Sequence, residues 1–122
     1  MRIVYVAGPF RGPNAWAIEQ NIRRAEALAL GVWIAGAAAI CPHCNTRFYQ
    51  GVLDDDVWIK GDLAILRRCD AILMAPNWEQ SEGAQSEYAL AQDLNLPTFY
   101  HNNLPSLQSW IRLENIGEEA LA

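Results

Sequence analysis

Ala71-Ile72-Leu73-Met74-Ala75, followed after a short polar break by Ser81-Glu82-Gly83-Ala84-Gln85-Ser86-Glu87-Tyr88-Ala89-Leu90-Ala91, decides how this chain folds. The first run is short and apolar throughout, the pattern of a strand buried on both faces. The second begins with a Ser suited to cap a helix. Its small residues allow close packing on a sheet. A buried strand feeding a helix is half of a β-α-β unit, from which parallel sheets are built. The junction also places one carboxylate, Glu87, in the early turns of a helix beyond the carboxyl end of a strand. Open α/β sheets bind ligands in that crevice. Free N–H groups and the dipole near a helix start favour an ionised acid, and a fixed carboxylate can attack an electrophilic carbon. The other reading of Glu87 is a solvated side chain on a helix face.

The same alternation extends in both directions. Residues 2–7 form a β-rich run stopped by Gly8-Pro9. Residues 8–14 are a Gly- and Pro-containing loop with one basic side chain, Arg11. From Ala15 to Ala35, Ala17, Ile18, Ile22, Ala25, Leu28, Ala29 and Val32 recur at helical spacing, and Gly36 is a suitable stop. Residues 37–41 read as a second strand and 42–52 as a polar loop. Residues 54–68 read as a helix whose acidic start and basic end complement its dipole. After the strand at 70–75 and a loop at 76–80 come a helix at 82–95, a strand at 97–100 and a last helix at 104–112. Residues 113–122 read as an acidic tail. The expected fold is α/β: a single domain over residues 1–122, with an open parallel sheet of about four strands in the order 2-1-3-4 and helices on both faces, Rossmann- or flavodoxin-like.

Composition narrows the function classes. An apolar fraction of 52% in 122 residues supports one core and excludes disorder. No apolar run reaches the length of a membrane span, so no membrane partner is expected. A formal charge of −5 argues against a polymeric nucleic acid, which needs a basic face. It leaves a mononucleotide open, because a few local donors can hold one phosphate. Three cysteines, an odd and sparse count, fit a reducing compartment, and the expected location is cytoplasmic. Five Trp is high for this length; with Trp16, Trp33 and Trp58 on apolar helices, it predicts a homodimer or larger homo-oligomer.

The loops after the first three strands should meet at one edge of the sheet. That brings together Gly8-Pro9-Phe10-Arg11-Gly12, His43-Cys44-Asn45 and Ser81 to Glu87. Asp62 lies mid-helix beside the apolar stripe of Leu63 and Leu66, where Asp is a poor helix residue. It either serves a site or makes a structural hydrogen bond. Cys41-Pro42-His43-Cys44 invites a zinc reading, but only Cys69 and His101 remain as further ligands and both lie in other elements, so no metal is expected. His43 is open to two roles, touching a ligand ring or closing the loop. The Gly8-x-x-x-Gly12 spacing is neither a dinucleotide fingerprint nor a P-loop. Arg11 can hold a phosphate or carboxylate, or stand exposed.

Tyr5-Val6-Ala7-Gly8-Pro9, then Asp62-Leu63-x-x-Leu66-x-x-Cys69-Asp70, then Ser81-x-Gly83-x-x-x-Glu87-x-x-x-Ala91 resembles the nucleoside 2-deoxyribosyltransferase family, in order and spacing, over about residues 3–101. The resemblance implies that Glu87 attacks the anomeric carbon of a 2′-deoxyribosyl group and that Tyr5 orients it. It implies that Asp62 assists the leaving base or binds the sugar. Gly8, Pro9, Phe10, Arg11, His43, Asn45, Ser81 and Gly83 would line the substrate site. Ser81, six residues before the nucleophile, together with Arg11 resembles the branch that hydrolyses deoxynucleoside 5′-monophosphates; a hydroxyl and a guanidinium receive a phosphate that an Asp would repel. The Cys-Pro-His-Cys-Asn-Thr run and short length resemble a phage-associated subgroup. The implied activity is deoxyribosyl transfer to a second base or to water, with no metal or organic cofactor. The alternative is a non-catalytic nucleotide-sensing module of the same fold.

Overall fold

The computed structural model describes residues 1–121. Strand β1 (Ile3–Ala7) is followed by helix α1 (Ala15–Ala35), strand β2 (Ala38–Ile40), a single-turn helix α2 (Pro42–Asn45) and helix α3 (Asp55–Leu66). Strand β3 (Ala71–Met74), a 3-10 turn (Trp78–Gln80), helix α4 (Glu82–Asp93), strand β4 (Thr98–Tyr100) and helix α5 (Leu104–Leu121) complete it. All strand pairs are parallel, in the order β2-β1-β3-β4, as the alternation of elements predicts.

Side-chain alternation along β1 and β3 divides the core between two faces. Val4 and Val6 of β1 and Ala71 and Leu73 of β3 pack against Ala25, Ala29 and Val32 of α1 and Leu107 and Ile111 of α5. Tyr5, Ala7, Ile72 and Met74 face the opposite way, onto Leu66 of α3 and Ala84 and Ala91 of α4. The two central strands are therefore apolar at nearly every position, whereas the edge strands β2 and β4 are short and partly exposed. Helix α1 has a sequence cause at both ends. Asn14 caps α1 by accepting a hydrogen bond from the Ala17 amide at 2.8 Å. Gly36 ends α1 at φ 103, a conformation that favours glycine.

Two segments differ from the sequence expectation. The polar loop at 42–52 opens with α2, because Pro42 at the first helical position has its φ preset and lacks only an N–H that would have no partner. The acidic tail at 113–122 is helical through Leu121, with Ala122 outside the described residues. Two of its three acids face the start of the chain. Glu114 pairs with Arg2 at 2.8 Å and Glu118 with the Met1 ammonium at 2.7 Å. Asn115 donates to the Gly36 carbonyl at 3.1 Å. Among the described residues no helix is long and apolar enough to cross a membrane.

Candidate active site

From β1 the chain crosses to β2 on one side and reaches β3 on the other, so the sheet order reverses between β1 and β3. Loops leaving such a switch point diverge and leave a crevice at the carboxyl ends of the strands. A cleft of about 870 Å³ lies there, within the size range of small-molecule sites. Its floor depends on close backbone approach: a Cβ at Gly8 would stand 2.6 Å from the Ala75 Cβ. Asn21, reaching up from α1, donates to the carbonyls of Phe10 at 3.1 Å and Arg11 at 3.2 Å. The loop after β1 is thereby tied to a helix.

Three predicted catalytic residues converge at this crevice. Glu87 on α4 and Asp62 on α3 line the cleft, while Tyr5 lies beneath it on β1, fully buried. Burial foremost, then the nearby charges of Glu87 and Asp62, pushes the Tyr5 hydroxyl far above its usual range, so it remains a neutral donor. That hydroxyl forms no aligned hydrogen bond, although Glu87 stands in range to accept one. Burial raises Asp62 to about 6. Burial also raises Glu87 to about 8, with the Tyr5 hydroxyl opposing the shift and the Asp62 charge adding to it. This corrects the expectation that a helix start keeps Glu87 ionised. The dipole acts within the first turn. Glu87 lies past it, since α4 begins at Glu82, and desolvation dominates.

The surrounding residues divide into those the fold brings to the cleft and those it does not. Gly8, Pro9, Phe10, Arg11, His43, Ser81 and Gly83 all line it. Asn45 does not: it ends α2 and is exposed, because the helical turn directs it away from the side that presents Pro42 and His43. The Phe10 and His43 rings pack with centroids 5.5 Å apart. Burial lowers His43 to about 4, with the Gly8 backbone opposing, so the imidazole is neutral at neutral pH. Ser81 caps α4 by accepting from the Ala84 amide at 3.2 Å. Arg11 pairs with Asp55 in a contact exposed enough (77% and 59% of the two side chains) to contribute little to stability.

Asp55, Trp58, Ile59, Asn21, Thr46, Gln50, Asn77 and Gln80 also line the cleft and were missed by sequence reasoning. A signal existed for three of them. Asp55, Trp58 or Ile59, and Asp62 recur at i, i+3/i+4 and i+7 on α3 and so share a face. Trp58, one of the Trp residues behind the oligomer expectation, lines the cleft. The buried side-chain polar atoms left without a partner among the described residues are the Tyr5 hydroxyl, His43 Nδ1 and Trp58 Nε1. His43 and Trp58 line the cleft and Tyr5 underlies it. Among the described residues no group of three or more His, Cys, Asp or Glu is disposed to hold a metal.

Comparison with curated proteins returns no match. One family model, described as Domain of unknown function (DUF4406), matches residues 2–100. The matched segment runs from the start of β1 to the end of β4 and contains every residue that lines the cleft. The chain belongs to this DUF4406 family.

Proposed function

We propose that this protein cleaves the N-glycosidic bond of 2′-deoxynucleosides or their 5′-monophosphates, with Glu87 as nucleophile. The observation that carries the reading is the convergence of Glu87, Asp62 and Tyr5 on one cleft at the switch point of the sheet. With Asp62 near 6 and Glu87 near 8, the pair holds one proton between those values. A retaining displacement needs that count: one carboxylate to attack and one acid to protonate the departing group. In the empty cleft the proton rests on Glu87. Positive charge developing at the anomeric carbon favours a carboxylate beside it, so substrate draws the proton toward Asp62 and the base. Glu87 then bonds to C1′ as the C1′–N bond breaks. The electron pair goes to the base nitrogen, which takes the proton. Water or a second base next attacks C1′ and releases the Glu87 carboxylate.

The charge lining the cleft bears on the substrate. Asp55, Asp62 and Glu82 face a single cation, Arg11, already paired with Asp55, while Glu87 holds its proton. A 5′-monophosphate must take Arg11 from Asp55, whereas a free nucleoside need not. The exposed Leu30, Trp33 and Ile34 of α1 support a homodimer or larger homo-oligomer. The test is incubation with each deoxynucleoside and deoxynucleoside 5′-monophosphate, with chromatography for free base. Release from at least one is expected, with exchange when a second base is added if the protein is a transferase. Binding of these compounds without base release would replace the enzyme by a nucleotide-sensing module.

A further inference from the structure

The Cys-Pro-His-Cys run takes no part in the proposed chemistry as a metal site, yet its two sulfurs are in contact. The Sγ atoms of Cys41 and Cys44 lie 3.0 Å apart, and both residues are free and partly accessible. A turn of helix produces the contact: the Cys44 amide donates to the Cys41 carbonyl at 3.0 Å, and Pro42 presets the first helical residue. A disulfide takes about 3.5–4.5 Å between Cβ atoms and about 2.05 Å between sulfurs. Closing the bond therefore needs the two sulfurs to approach by about 1 Å. The third cysteine, Cys69, is buried and donates to the Ile65 carbonyl at 3.4 Å, remote in the fold from the pair.

We propose that Cys41 and Cys44 form a reversible intramolecular disulfide, a redox modification site in the wall of the cleft. The two residues enclosed between the cysteines, Pro42 and His43, are cleft-lining residues. The co-reactant is a low-molecular-weight disulfide. One thiolate attacks a sulfur of the reagent and expels one thiolate; the second attacks the mixed disulfide and expels the other. Two protein thiols are oxidised, one disulfide is reduced to two thiols, and the protein's two protons pass to the released thiolates or solvent. Burial, the Cys41 neighbour and Glu26, whose Oε1 lies 3.6 Å from Cys44 Sγ, keep the Cys44 proton on, so closure is faster in mildly alkaline buffer. The step does not depend on what the cleft binds.

The test equilibrates the folded protein in reduced and oxidised glutathione buffers of graded ratio, quenches in acid, denatures, alkylates and maps peptides by mass. As the buffer becomes oxidising, the alkylated thiols are expected to fall from three to one, Cys69. The peptide holding Cys41 and Cys44 should become lighter by two hydrogens, and Cys69→Ser should leave this unchanged. Three alkylated thiols at every ratio would overturn the proposal. So would oxidation that yields only glutathione adducts or disulfide-linked dimers.

Discussion

Replacing Glu87 by Gln should stabilise the protein at neutral pH while abolishing its catalysis. The magnitude follows from the raised pKa, 4.5 to about 8, caused first by burial. A carboxyl whose folded value lies above its unfolded value leaves stability intact below pH 4.5, where both states are protonated. Stability is then lost as pH rises from 4.5 toward 8, because only the unfolded chain ionises. At about 1.4 kcal/mol per pH unit, the loss accumulated by pH 7 is roughly 3 kcal/mol, and water in the cleft reduces it to about 2–3 kcal/mol. Gln keeps the shape and removes the ionisation. Asp62 has largely titrated by pH 6.5, since its folded value is about 6. His43, lowered to about 4 by burial, contributes a loss only on the acid side of its usual value. The window from pH 6.5 to 8 therefore isolates Glu87. Urea unfolding of both proteins across that window should show the unmodified protein losing on the order of 1 kcal/mol more than Glu87→Gln. Equal slopes for the two proteins would refute the assignment of a half-buried, protonated Glu87.

Base release by the unmodified protein should rise through pH about 6 and fall through about 8, the window in which the carboxyl pair holds one proton. Asp62→Asn should keep stability within about 1 kcal/mol and slow turnover about a hundredfold or more; a large stability loss with unchanged specific activity would make Asp62 structural. Asp55→Asn should free Arg11 and raise the monophosphate-to-nucleoside activity ratio, while Arg11→Ala should lower it by about ten- to a hundredfold, the worth of one charge-assisted contact of roughly 1.5–3 kcal/mol. Identical ratios in all three proteins would remove Arg11 from phosphate binding. Sedimentation should show a dimer or larger species at micromolar concentration; a monomer alone would count against the homo-oligomer.

The sheet order was legible because β1 and β3 are continuous apolar runs and every connection between strands carries a helix, leaving few parallel topologies. Tyr5, Asp62 and Glu87 were legible for separate reasons. Glu87 follows β3 at the sheet edge and Asp62 borders an apolar helix stripe, while Tyr5 was singled out only by the family resemblance. Features set by tertiary contact were less legible. The helical end of the chain depends on Glu114 and Glu118 meeting Arg2 and the chain start, partners more than a hundred residues away in sequence. Asp55 came to Arg11 through the packing of α3 beside the first loop, which no local pattern encodes. Asn45 was misplaced because a loop reading gives no face, whereas one turn of helix turns it outward. The protonation of Glu87 escaped because proximity to a helix start is visible in sequence and desolvation by neighbouring elements is not.

The central claim is that the Glu87 carboxylate performs the displacement. Glu87→Ala, checked for native secondary structure and cooperative unfolding, should be compared with the unmodified protein under single-turnover conditions on whichever deoxynucleoside or 5′-monophosphate is cleaved. Base release slower by several orders of magnitude, with substrate still bound, is the predicted result. Near-normal release by a folded Glu87→Ala protein would contradict the account.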